Sequence, residues 1–200
     1  MIKPFVRQQR KPKVYAFIDS QNLNVGIQKF GWKMDWSKFR KFLTDEYGVD
    51  KAFMFIGYVP EFEAMYEQLH QTGFAIVLKP TFDMTRVRPE VVEPKPGEPE
   101  KEEEKRPTKG NVDADLVLWA MKELPNYQKA VLVSGDGDFY SLVEYLDSKN
   151  RLLKLLTPNG QYSNLYNKYE QYIDQLDKRR PLLAYHQHKR HRPNSKSHKN

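Results

Sequence analysis

The sequence predicts an α/β fold in which a central, mostly parallel five-stranded sheet is flanked by helices. Three observations carry that expectation. Short apolar, β-prone runs recur along the chain, amphipathic helical patterns separate them, and Gly or Pro stands at several of the switches. Val14–Ile18 (VYAFI) is a compact run of buried-strand type that ends at Asp19. Two helical patterns follow, over 22–30 and 35–47, the second with Trp36, Phe39, Phe42 and Leu43 on one face. Residues 51–59 (KAFMFIGYV) form a second strand, and Pro60 suits the first turn of a helix over 61–72. Gly73 stops that helix before a third strand, Phe74–Leu78 (FAIVL). Leu116, Val117, Ala120, Met121 and Leu124 mark another helix, ended by Pro125. A fourth strand over 130–133, a helix over 140–149, a fifth strand over 152–156 and a helix over 165–176 complete the series. Right-handed crossovers then place helices on both faces of the sheet.

Two hundred residues suit one domain with a single core. The chain is 30% charged, and no apolar run reaches the roughly 20 residues a membrane helix needs. The N-terminal MIKPFVRQQRKPK is basic, without the apolar stretch of a signal peptide. With no cysteine, disulfides and thiolate metal sites are excluded, and the expected location is cytoplasmic. The net charge of +7 is segregated. Residues 1–18 hold five Lys/Arg and residues 178–200 hold eight, both without an acid, so residues 19–177 carry 20 bases against all 26 acids. This divides the chain into a basic arm (1–13), a domain (14–177) and a basic tail (178–200) expected to be disordered. Basic ends on an acidic body suggest a polyanionic partner, nucleic acid first, against the plainer reading of solvated charge. Within the domain, residues 83–108 are rich in Pro and Glu and almost empty of apolar side chains, the composition of a flexible insertion.

Ligands of open α/β sheets bind beyond the carboxyl ends of the strands. Asp19 stands at that end of the first strand, and Asp136 and Asp138 at that end of the fourth, in VLVSGDGDFYSLVEYL. A helix leading from the third strand to the fourth starts at the same edge, and KGNVDADLVLWAM puts Asp113 and Asp115 in its first turn. Each acid also has a structural explanation. Asp113 suits a helix N-terminus, Asp138 could cap the helix after it, and Asp115, on a different face, reads as solvated or as supporting the ligating acids from behind. Asp19 is hardest to explain so, because burying an unpaired carboxylate is costly. Carboxylates sharing a small volume raise one another's pKa unless a cation neutralises them. Oxygen ligands without Cys or paired His favour Mg²⁺ or Mn²⁺. His70, the one histidine of the domain, sits mid-helix and reads as a surface residue.

FIDSQNLN (17–24), KGNVDADL (109–116) and VSGDGDF (133–139), in this order on a βα chain, resemble the NYN domain of the LabA-like group in the PIN-like nuclease superfamily. The resemblance covers about residues 14–175. It implies a PIN-like, Rossmann-like domain and a Mg²⁺ or Mn²⁺ site for RNA cleavage. By motif position Asp19, Asp113, Asp136 and Asp138 would be the metal-binding and catalytic acids, Asn22 would help position water or phosphate, and Lys109 would contact a phosphate. Ser20 stands where the more usual first motif has glycine.

Among the aromatics Trp32, Trp36, Tyr58, Tyr162 and Tyr166, only Tyr162 is expected on the active rim, where it could stack on an unpaired base. Arg179, Arg180, Lys189, Arg190 and Arg192 of the tail are the further nucleic-acid contacts expected. Two readings follow. The first is a metal-dependent ribonuclease acting on single-stranded RNA. The alternative is a non-catalytic RNA-binding or regulatory module that retains the acidic pocket. A phosphohydrolase that uses a DxD nucleophile pair is disfavoured, since Gln21 stands two residues beyond Asp19. Whether copies of the chain associate is left open.

Overall fold

The computed structural model describes residues 11–80 and 112–186. The insertion over 83–108 and the N-terminal residues 1–10 lie outside the described residues, as do Lys109, Lys189, Arg190 and Arg192. The strands are β1 (Val14–Asp19), β2 (Val49–Tyr58), β3 (Phe74–Pro80), β4 (Lys129–Val133), β5 (Leu152–Thr157) and β6 (Ile173–Gln175). All neighbouring pairs are parallel, in the order β3-β2-β1-β4-β5-β6. The helices are α1 (Ser20–Gln28), α2 (Trp36–Tyr47), α3 (Glu63–Gln71), α4 (Asp113–Lys122), α5 (Tyr140–Ser148) and α6 (Arg180–Leu183).

Alternation along the strands divides the core into two layers. Val14, Ala16 and Ile18 of β1 pack on one face with Leu23 and Ile27 of α1, Phe39 and Leu43 of α2 and Leu69 of α3. Tyr15 and Phe17 pack on the other with Leu116 and Ala120 of α4 and Leu142, Val143 and Leu146 of α5. The chain winds outward from β1 to β3 with helices on the first face, then returns to β4 and winds the opposite way with helices on the second. Strand order therefore reverses between β1 and β4, and the carboxyl ends of those two strands flank the crevice where doubly wound sheets bind ligands.

Local chemistry sets the element ends. The Asp35 side chain accepts from the Lys38 N–H at 3.1 Å and caps α2. Gly73, at φ 94°, turns the chain from α3 into β3 through a conformation that a Cβ disfavours. Pro60 opens a short 3₁₀ turn (Pro60–Phe62) that leads into α3.

The sheet has six strands rather than five. The segment expected as a helix over 165–176 is a 3₁₀ stretch, Asn164–Tyr172, followed by β6 against β5. A 3₁₀ helix repeats every three residues, and Tyr166, Tyr169 and Tyr172 recur at that spacing with their rings against the α5 layer. A three-residue edge strand is too short to announce itself through alternation.

The domain also reaches further than its expected boundary at 177. Leu183 and Ala184 are buried, Leu183 completely. The Leu183 carbonyl accepts from the Asp35 N–H at 2.8 Å, and the Tyr185 N–H donates to the Lys33 carbonyl at 2.9 Å. Residues 178–186, assigned from sequence to the basic tail, thus close the first core layer. Leu183→Ala is expected to destabilise the fold by about 2–5 kcal/mol, measured as a lowered denaturant midpoint; an unchanged midpoint would show that α6 is not part of the core.

Candidate active site

Asp19 ends β1 and is 4% exposed. It is also the N-cap of α1, its Oδ1 accepting from the Asn22 N–H at 3.0 Å. Its Oδ2 accepts from the Ser134 hydroxyl at 3.2 Å, just past the end of β4. The Ser134 Oγ in turn accepts from the Asp136 N–H at 3.1 Å. Asp136 caps the next turn, its Oδ1 accepting from the Asp138 N–H at 3.0 Å. One carboxylate, one hydroxyl and two backbone amides therefore join β1, α1 and the loop after β4.

The loop is clamped from both sides. The Asn22 side-chain carbonyl accepts from the Gly135 N–H at 2.9 Å. The buried Tyr166 hydroxyl donates to the Asp136 carbonyl. Ser163 packs so closely on Gly137 that a Cβ there would lie 2.5 Å from its Oγ, so the second glycine of VSGDGDF is demanded by contact. Asn159, after β5, donates to the Gly26 carbonyl of α1 at 3.0 Å and accepts from the Gln161 N–H at 2.7 Å.

Asp113 opens α4 on the same rim. Burial raises its carboxyl above the ordinary range, the charges of Asp136 and Asp138 add to the rise, and Lys79 opposes it. Asp19 is raised as well, mainly by burial. The amide of Asn22 and the hydroxyl of Ser134 offset part of this, while Asp113 and Asp136 push the same way as burial. Asp113 and Asp136 are thus near enough to act on Asp19, and Asp136 and Asp138 near enough to act on Asp113. Among the described residues no group of three or more His, Cys, Asp or Glu side chains forms a ready ligand set for a metal ion.

The NYN domain family model matches residues 13–177. The chain belongs to the NYN domain family. NYN domains have the PIN-like nuclease fold, and the family is in the main one of nucleases. This NYN domain is 25% identical over 173 residues to the low amplitude and bright protein LabA of Synechococcus elongatus, covering 84% of this chain and 86% of that one. The crystal structure of a protein of unknown function from Vibrio parahaemolyticus has the same fold, with a TM-score of 0.64 at 23% identity over 88% of this chain and 99% of that one.

The NYN fold gathers the four expected acids on one rim and gives other expected residues different work. Asn22 spends its side-chain oxygen on the loop after β4. Asp115 is no isolated solvated acid, because Lys79 at the end of β3 pairs with it at 3.0 Å. Tyr162 is half-buried beside Gly135, at the rim. Arg179 lies in an ion pair with Asp174 at 3.0 Å, whereas Arg180 is exposed. Ser134, Asn159 and Lys79 are rim residues that sequence reasoning did not single out, and Tyr166, expected away from the rim, is buried yet bonds its loop there. Ser134 was visible inside its motif as a hydroxyl at a strand end; the other three show no sequence signal of their position.

Two expectations follow. The folded state binds the Asp19 proton more tightly than the unfolded chain does, so this group's contribution to stability is full below the ordinary carboxylate range and is lost as pH rises through the raised folded value. Asparagine does not titrate. In EDTA, Asp19→Asn should melt above the native protein at neutral pH, with the gap closing as the solution is acidified; a gap that does not change with pH would contradict this. Tyr166→Phe removes one hydrogen bond to the Asp136 backbone and should cost about 1 kcal/mol in chemical denaturation.

Proposed function

We propose that this NYN domain protein is a divalent-metal-dependent ribonuclease that hydrolyses phosphodiester bonds of single-stranded RNA at the Asp19, Asp113, Asp136 and Asp138 rim. The observation that carries the reading is the position of Asp19: a buried carboxylate at the switch point of the sheet, with two more acids raising its proton affinity. Its two hydrogen-bond partners are neutral, so the charge is oriented without being cancelled. Family membership supports nuclease chemistry, and the basic ends of the chain support a polyanionic substrate.

The donors are all hard oxygens, which fits Mg²⁺ or Mn²⁺. Asp19 and Asp136, with Asp113 on the same rim, would hold the ion, and Mg²⁺, which takes one or two carboxylates and keeps waters, fits such a set. When bound, such an ion supplies neutralisation of the oxyanion developing at phosphorus and acidification of the attacking water. The chain's own residues do the rest. Asn22 and Tyr166 fix the loop that carries Asp136, Ser134 keeps Asp19 facing that loop, and exposed Asp138 is available to accept a proton from water.

Among the described residues no three acids form a ready ligand set, and this favours a second reading, an RNA-binding module without turnover. Cleavage of a fluorescent single-stranded RNA in Mg²⁺, Mn²⁺ or EDTA separates the two. Metal-dependent cleavage is expected, falling by about 10²–10³-fold in Asp19→Asn and in Asp136→Asn while both variants keep the native circular dichroism. Full activity in both variants would refute the assignment of the rim. RNA binding without cleavage in either metal would leave the binding module.

A further inference from the structure

A scissile phosphate at the acid cluster leaves the rest of the strand to be placed, and the cations of the rim give it a course. On one flank Lys79 ends β3, the outer strand, with its Nζ 3.0 Å from Asp115 and its charge opposing the raised proton affinity of Asp113. On the other flank α1 lies against the loop after β5. Asn159 bonds the Gly26 carbonyl, and a Cβ on Gly26 would sit 2.4 Å from Pro158. That contact holds Lys29, just past α1, at the rim, where its Nζ reaches Gln161 at 3.2 Å. Arg180 follows, its guanidinium donating to the Gly31 carbonyl at 3.4 Å. Lys29 and Arg180 are exposed, and these contacts are to neutral oxygens that leave the charges uncancelled. Tyr162 lies between the acid loop and Lys29 in the chain of contacts, since Gln161 precedes it and Gly135 touches it.

We propose that the rim binds a single-stranded polynucleotide running across the strand ends, from Lys79 on β3, over the acids at β1 and β4, to Tyr162, Lys29 and Arg180. Neighbouring strands lie about 4.8 Å apart, so β3 and β5 each stand roughly 10 Å from β1 and the track spans several nucleotides. Tyr162 packs partly against the second core layer, and the part of its ring left exposed beside the acid loop would meet an unpaired base. Lys79 exchanges Asp115 for a phosphate when the strand arrives. The ligand's identity at the cluster rests on the nuclease reading; the course across the rim rests on the placement of the cations.

The test is fluorescence anisotropy of a 2′-O-methylated, uncleavable single strand with the full chain in Mg²⁺ over a salt series, beside a cleavage assay on the unmodified strand. Each lost phosphate contact should flatten the plot of log affinity against log salt by about 0.7. Lys29→Gln with Arg180→Gln should therefore flatten it by about 1.4, and Lys79→Gln by about 0.7. Lys41→Gln with Lys129→Gln is the control, since Lys41 pairs with Asp45 on α2 and Lys129 bonds Asn150 at the amino end of β4; it should leave the slope unchanged. Equal slopes in native and rim variants would overturn the track even if the protein cleaves RNA. Flattened slopes without any cleavage would uphold the track and remove the nuclease reading. Tighter binding of a duplex of the same sequence would overturn the single-stranded occupant.

Discussion

The site depends on a single buried carboxylate that does three jobs. Asp19 terminates the central strand, caps the first helix and receives the Ser134 hydroxyl. Charge this deep is tolerated only where donors face it, and here the donors are one backbone amide and one hydroxyl. Both belong to elements that must be folded for the bonds to exist. The acid is thus a register pin for β1, α1 and the loop after β4 as well as a chemical group. Because neither donor is a cation, the pin leaves the negative charge in place. Burial then raises the Asp19 carboxyl above its ordinary range, and Asp113 and Asp136 add to the rise that the two donors only partly offset.

Around this pin the loop after β4 is fixed by residues distant in sequence. Asn22 holds Gly135 from α1, Tyr166 holds Asp136 from the 3₁₀ segment, and Asn159 ties the loop after β5 back to α1. A loop that must present carboxylates gains little from contacts within itself, since those compete for the same oxygens. Clamping it through its backbone groups leaves most of the side-chain oxygens for chemistry. The hydrophobic layers matter here through direction: alternation along β1 that buries Tyr15 and Phe17 on the α4–α5 face also turns Asp19 toward that face, where α4 brings Asp113.

Much of this is readable from the chain. The strand runs are apolar because both faces of a parallel sheet are covered, so β1 to β5 announce themselves, and acids directly after such runs must lie on the carboxyl rim. The departures have physical causes. Three residues of β6 are too few for a periodic signal, and the tyrosines before it match a three-residue repeat that passes for a helix. Leu182 and Leu183 sit inside a basic stretch whose charge dominates any compositional reading, although Leu183 is fully buried. Asn22 illustrates a limit of motif logic. Its position by the acid was legible, but the hydrogen bond that occupies its oxygen comes from Gly135, over a hundred residues away, and only the fold brings it there.

The distribution of charge bears on what the rim can accept. Asp19, Asp113, Asp136 and Asp138 share one rim, and Lys79, whose charge is felt at Asp113, is already paired with Asp115. A phosphate approaching this surface meets repulsion that no hydroxyl or amide of the clamp can cancel. The cations that could draw it in stand on the flanks, at Lys79 on one side and at Lys29 and Arg180 on the other. On the proposed track, attraction at the flanks with repulsion at the centre would stretch a polyanion across the acids without seating it on them. On the proposed reading a phosphate brought to the centre would share that space with a cation, which would make substrate and cation binding mutually dependent.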